Sequence, residues 1–141
     1  MSYLQPFHQV VGELLSHLGF DIGAIHPEQE VISLTVEQQF TVHLAWVDQA
    51  SWCLLAELGS SHPERDGLLY AQALRYNQMA AQRWQPVWAL DPEDHLSCWL
   101  RLPLEGNELP TLIEAFDVLI QHAEQWLAVA DVAPGHFSKP I

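Results

Sequence analysis

Positive charge is scarce in this chain: Arg65, Arg75, Arg83, Arg101 and Lys139 are its only strong cations, set against eighteen acids for a formal net charge of −13. Neutralisation of phosphate by Lys and Arg supplies most nucleic-acid affinity, and anionic bilayers attract polybasic segments. Scattered cations in an acidic chain argue against both partners, and the acidity reads as a contribution to solubility. Cysteine is equally sparse. Cys53 and Cys98 each sit inside an apolar extended segment, which points to buried free thiols and away from a disulfide or a ligand pair. The glycines fall singly, at positions 12, 19, 23, 59, 67, 106 and 135, so no phosphate-cradling loop or dinucleotide fingerprint can be assembled. No apolar run approaches the roughly 18 residues of a membrane span, and the opening Met1-Ser2-Tyr3-Leu4-Gln5-Pro6 lacks the cationic start of a secretory leader. A cytosolic protein without membrane insertion is expected.

Apolar side chains, by contrast, are plentiful: 49% of the 141 residues are hydrophobic and only 16% are charged, a balance that collapses into a core. A globule of this length buries roughly 68–70% of its unfolded surface and needs no disulfide or metal staple. Residues 1–133 are expected to form one domain and residues 134–141 a flexible tail. Leu4, Phe7, Val11, Leu14, Leu15 and Leu18 recur at helical spacing before Gly19, a left-handed cap. The period then changes to two through Val31–Val36, Phe40–Val47 and Ser51–Leu58, which predicts three antiparallel strands joined by short turns. A second helix is predicted from Gly67 to Trp84, because the stretch is rich in helix formers and free of proline until Pro86. Its apolar residues spread around most of the circumference, and such a helix must be covered from more than one side; a second subunit is an economical cover. Val87–Leu90 and His95–Leu102 read as a hairpin about Asp91-Pro92-Glu93-Asp94. Asn107 can cap a final helix with Pro110 in its first turn. The result is an α+β protein of order α-β-β-β-α-β-β-α, a twisted antiparallel sheet packed with helices.

The eight histidines invite a metal or acid–base reading, but their spacing does not sustain it. His8 and His17 project about 180° apart on the first helix, His122 and Glu124 fall on different faces, and neither HExxH nor CxxC occurs. Both cysteines lie within strands, away from the exposed turns that carry activated nucleophiles. Asp91, Glu93 and Asp94 resemble paired carboxylates, yet a hairpin tip keeps them solvated. No catalytic, metal-binding or cofactor-binding residue is therefore assigned. Six tryptophans are many for this length, and large aromatic rings that exceed one core tend to anchor interfaces. Trp88 and Trp99 are the better interface candidates, since each alternates out of phase with the aliphatic face of its strand.

The element order, the length, the low pI, the opening helix ending in Leu14-Leu15-Ser16-His17-Leu18-Gly19, and the segment Leu68–Trp84 running into a short strand resemble the class I type III secretion chaperones, the family of the Tir and YopE chaperones. The resemblance implies a homodimer in the bacterial cytoplasm that keeps the N-terminal segment of a cognate effector extended and secretion-competent, without enzymatic activity or cofactor. It places the dimer interface at Leu69, Ala73, Tyr76, Ala80, Val87 and Trp88. The effector would lie in grooves beside the first helix and pair with a sheet edge, at Phe7, Val11, Val31, Ser33 and Thr35. Two other readings stand beside it. One keeps the fold but makes the ligand a transcriptional regulator or secretion component held by sequestration; the other is a small enzyme built on the histidines and the acidic hairpin tip.

Overall fold

The computed structural model describes residues 3–132 apart from residues 22, 38 and 107. The expected Asn107 cap and the tail from residue 134 lie outside the described residues. The elements are α1 (Gln5–His17), β1 (Val31–Val36), β2 (Phe40–Trp46), β3 (Ser51–Ser60), α2 (Gly67–Tyr76), β4 (Val87–Leu90), β5 (His95–Pro103) and α3 (Leu109–Val132). All five strands join one antiparallel sheet in the order β1-β2-β3-β5-β4. This is the α+β arrangement anticipated from the change of hydrophobic period.

Each helix end has a local cause. Pro6 opens α1, where its missing N–H costs no helical bond. Gly19 closes it at φ +84°, with the Gly19 amide donating to Ser16 O (3.2 Å) and the Phe20 amide to Leu15 O (2.9 Å). That paired return satisfies carbonyls which the last helical turn leaves without partners. Pro110 sits at the second residue of α3 for the same reason that Pro6 opens α1.

One face of the sheet is the core. Phe40, Val42 and Leu44 of β2 alternate inward with Trp52, Leu54, Ala56 and Leu58 of β3, and with Leu96, Cys98, Leu100 and Leu102 of β5. Phe7, Val11, Leu14 and Leu15 of α1 and Phe116, Leu119, Ala123 and Trp126 of α3 cover them. The contacts between layers are aromatic: Phe7 meets Trp52 edge-on at 6.1 Å and Phe20 meets Phe116 at 6.3 Å. Edge-on geometry places the positive rim of one ring over the negative face of the other.

Two expectations need correction. The second helix stops at Tyr76, not Trp84. Its sequence favours continuation, but β4 must return antiparallel to β5 starting at Val87, and Asn77 at the helix end turns its side chain onto the Trp88 backbone instead of continuing the spiral. Gln85 then organises the connection, accepting from the Ala80 amide (3.0 Å) and donating to Gln78 O (2.6 Å). The second correction concerns Trp88. It pairs with Cys98 in register, faces the core, and stacks between Tyr76 (5.2 Å) and Trp126 (5.1 Å), so it is 4% exposed rather than outward-facing.

The loop into α2 is locked by one buried carboxylate. Asp66 is 1% exposed, accepts from the His62 amide (2.7 Å), and receives Arg65 Nε (3.1 Å) and Nη2 (3.0 Å). Burial disfavours its charge, but the Arg65 guanidinium and the His62 amide outweigh burial and hold the carboxyl below its ordinary value of 3.8. The folded value is thus depressed relative to the unfolded one. Asp66 stabilises the fold fully above the unfolded value and loses that contribution as pH falls through the folded value. In denaturant titrations at neutral pH, Asp66→Ala is expected to cost about 1–3 kcal/mol. The difference from wild type should shrink below pH 3.8, and an offset independent of pH would refute the assignment.

Candidate functional site

An open sheet has two edges, and the backbone groups facing outward there lack ladder partners. At β4 the Asp91 amide donates to His95 O (3.0 Å), so strict alternation turns the backbone groups of Ala89 toward β5 and those of both Leu90 and Trp88 away from it; the position with a partner is Trp88. Asn77 fills that position with a two-pronged amide. Its Nδ2 donates to Trp88 O (3.0 Å) while its Oδ1 accepts from the Trp88 amide (2.7 Å), as a neighbouring strand would. The β4 edge is closed there by a side chain.

The β1 edge is different. The Trp46 amide donates to Glu30 O (2.8 Å), so Ile32, Leu34 and Val36 face β2, and the backbone groups of Val31, Ser33 and Thr35 face outward. Gln29 Nε2 covers Val31 O (2.9 Å), and His8 Nε2 lies 2.7 Å from Gln29 O, tying that cover to α1. Among the described residues, the backbone groups of Ser33 and Thr35 have no hydrogen-bond partner beyond the edge. Beside the N-terminal turn of α1 lies a cleft of about 670 Å³ lined by Tyr3, Pro6, Gln9, Val10, Gln49 and Leu104.

The sheet face opposite the core carries a graded row, Ser33–His43–Leu55–Trp99–Val87, running from β1 to β4. Leu55 and Trp99 are half-buried and Val87 is 40% exposed, so this row is apolar toward β4. Toward β1 it is polar: Ser33 Oγ lies 2.6 Å from His43 Nδ1, and His43 Nε2 lies 2.8 Å from Glu57 Oε2. The order serine, histidine, carboxylate resembles a hydrolytic triad. Ser33, however, sits mid-strand at a sheet edge rather than on the sharp turn that exposes an activated serine. Arg101, also on this face, is bound to Asp48 (2.9 Å) and Ser51 (2.9 Å).

The remaining chemical candidates serve structure. Asp91 accepts from the His95 (2.9 Å) and Glu93 (2.8 Å) amides and lies 2.9 Å from His95 Nδ1. The backbone bond from His95 leads in lowering the Asp91 carboxyl pKa, and the side-chain bond to Asp91 leads in raising His95. Burial pushes both thiols up, Cys98 the further, with Arg101 opposing the shift at Cys53. A thiol so raised is a poor nucleophile. Among the described residues, no cluster of three His, Cys, Asp or Glu side chains is placed to hold a metal, and no helix is long and apolar enough to cross a membrane.

Large apolar side chains gather around α2 and β4. Leu68 (80%), Leu74 (71%), Met79 (92%), Val87 and Leu90 are exposed, and Tyr70, Ala73, Leu74, Trp88, Leu90 and Leu96 line a groove of about 300 Å³.

Residues 9–127 match the model of the Tir chaperone protein (CesT) family. The chain belongs to that family. The solved structures agree in fold. The Yersinia pestis type III secretion chaperone SycH, crystallised with a stable fragment of YscM2, superposes with a TM-score of 0.65 at 21% identity over 85% of this chain and 98% of that one. A chain of the ExoT–SpcS complex from Pseudomonas aeruginosa gives 0.67 at 21% identity, covering 86% and 97%. A chain of the ExsC–ExsE complex gives 0.70 at 17% identity, covering 95% and 98%. No curated protein sequence matches the chain significantly.

Within this CesT-family protomer the sequence-derived positions separate into two kinds. Leu69 (4% exposed), Ala73 (5%) and Trp88 are covered by their own chain, Tyr76 is half-buried, and Ala80 and Val87 are exposed. Phe7 and Val11 are wholly buried, whereas Val31, Ser33 and Thr35 stand exposed along β1. The exposed surface beside the buried positions belongs to Leu68, Leu74, Met79 and Leu90 at one end and to Pro6, next to half-buried Val10, at the other. Helical spacing marks an apolar stripe but does not say which of its members the core takes. Asn77 has no local signal, because its partner lies eleven residues on across a loop.

Asn77→Ala is expected to cost about 1–2 kcal/mol, since it strands both polar groups of Trp88 at a part-buried edge. It should also produce concentration-dependent self-association beyond that of the wild type, through the reopened β4 edge. Sedimentation and thermal melting indistinguishable from wild type would show that the fork does not close the edge.

Proposed function

We propose that this protein is a type III secretion chaperone, acting in the bacterial cytoplasm as a homodimer that binds the N-terminal segment of a cognate effector and keeps it secretion-competent. The observation that carries the reading is the family match across residues 9–127. The geometry supports it without any chemical step. An extended peptide gains affinity from backbone bonds to a strand edge and selectivity from pockets for alternate side chains. The free groups of Ser33 and Thr35 offer the edge, and the cleft beside Pro6 and Val10 offers an apolar pocket near α1. The dimer forms through the α2–β4 surface, where Leu74 and Leu90 flank the groove over Ala73 and Trp88. Ala73 and Trp88 line this groove and are buried, whereas Ala80 and Val87 are exposed outside it.

Light scattering on the purified protein should give a dimer, and Leu74→Glu should give a folded monomer, because a charge at a desolvated apolar contact is strongly unfavourable. A monomeric wild type would remove the homodimer. Co-expression with N-terminal segments of candidate effectors should yield a complex of two chaperone chains per effector. Thr35→Pro removes an outward N–H that makes no ladder bond, so it should lower effector capture about tenfold with little loss of stability. Undiminished capture by Thr35→Pro would place the effector elsewhere.

A further inference from the structure

We infer that the effector segment seated on β1 presents a lysine or arginine on the open sheet face opposite Ser33, recognised by the hydrogen-bond chain Ser33–His43–Glu57. The inference rests on the proposed docking at the β1 edge and adds the chemistry of one register position. Glu57 as a carboxylate only accepts hydrogen bonds, so the 2.8 Å contact places a proton on His43 Nε2. In the neutral imidazole Nδ1 is then an acceptor, and the 2.6 Å contact commits the Ser33 hydroxyl proton to it. Ser33 Oγ has only lone pairs left to offer. A client residue opposite must donate, and Asp or Glu there would meet an acceptor with no proton to share.

Charge decides among the donors. No lysine or arginine precedes Arg65, so α1 and β1–β3 are built from a stretch without a strong cation, while Glu28, Glu30 and Glu37 flank β1. Among the described residues, Arg101 on this face is held by Asp48 and Ser51 at β3 and the β2–β3 turn, two strands from the β1 edge. Val31 and Thr35, the neighbours of Ser33 along the same face, are uncharged. The partner that complements this edge is an extended segment with apolar side chains toward Ile32 and Leu34 and a cation toward Ser33.

Peptide binding tests this directly. The probes are labelled peptides of about eight residues alternating valine and threonine. One carries lysine and one glutamate at a central threonine, and a third carries lysine at the adjacent valine, which one residue of displacement sends to the other face. Binding is followed by anisotropy in weakly alkaline buffer. The central lysine peptide should bind about tenfold tighter than the glutamate peptide. It should also bind tighter than the displaced lysine peptide and shift the amide resonances of Ser33 and Thr35. Ser33→Ala should abolish the preference and Thr35→Ala should retain it. Equal binding of lysine and glutamate peptides with those amide shifts present overturns the inference and leaves edge docking standing. The inference fails in the same way if the two lysine registers bind alike or if Ser33→Ala keeps the preference. Failure of every peptide to shift Ser33 and Thr35 overturns edge docking and this inference together.

Discussion

The outward backbone groups of a sheet edge have to find partners, and the arrangement of this molecule follows from how its two edges meet that demand. At β4 a single side chain, Asn77, supplies both a donor and an acceptor to Trp88. At β1, among the described residues, Gln29 covers Val31 O and no group covers Ser33 or Thr35. An edge strand with free groups is a hazard when its flanks are flat and hydrophobic. Here Ser33 and Thr35 are polar, and Glu30 and Glu37 bound the strand, which keeps it soluble while leaving the hydrogen-bonding template intact.

The shortness of α2 belongs to the same constraint. A helix continuing to Trp84 would carry Asn77 into the spiral and deprive Trp88 of its fork. By stopping at Tyr76 the chain gains that closure and the stack of Tyr76, Trp88 and Trp126, but Leu68 and Leu74 remain in solvent. The apolar surface near β4 is therefore a consequence of closing the β4 edge with so small an element. Exposed apolar side chains gathered in this way mark a surface that a partner can cover.

Much of this is legible from the residues. The alternation Phe40, Val42, Leu44 and the stripe Phe7, Val11, Leu14 predict a strand and a helix because each has one buried face, and both form. The end of α2 is not legible: Gln78 to Trp84 contains good helix formers, and the reason for stopping is a partner on β4. Trp88 turns inward against expectation because alternation fixes which residues share a face but not which face is covered. Ser33, His43 and Glu57 lie on three strands, ten and fourteen residues apart, and only the register sets them in one chain. Their parity within each strand is visible in the sequence; the pairing that turns parity into contact is not.

β1 and β4 are opposite edges of one five-stranded sheet, separated by four inter-strand spacings, or about 19 Å. A twofold mate on the α2–β4 surface and an extended effector on β1 would therefore not compete for the same atoms. In the dimer proposed above, the β1 edge of each chain would lie at the side of its sheet away from the β4 contact. The chemistry of the open face runs the same way, apolar at Trp99 and Val87 near β4 and polar at Ser33 and His43 near β1. Surfaces that exclude water on contact favour the first composition, and wetter, reversible contacts favour the second.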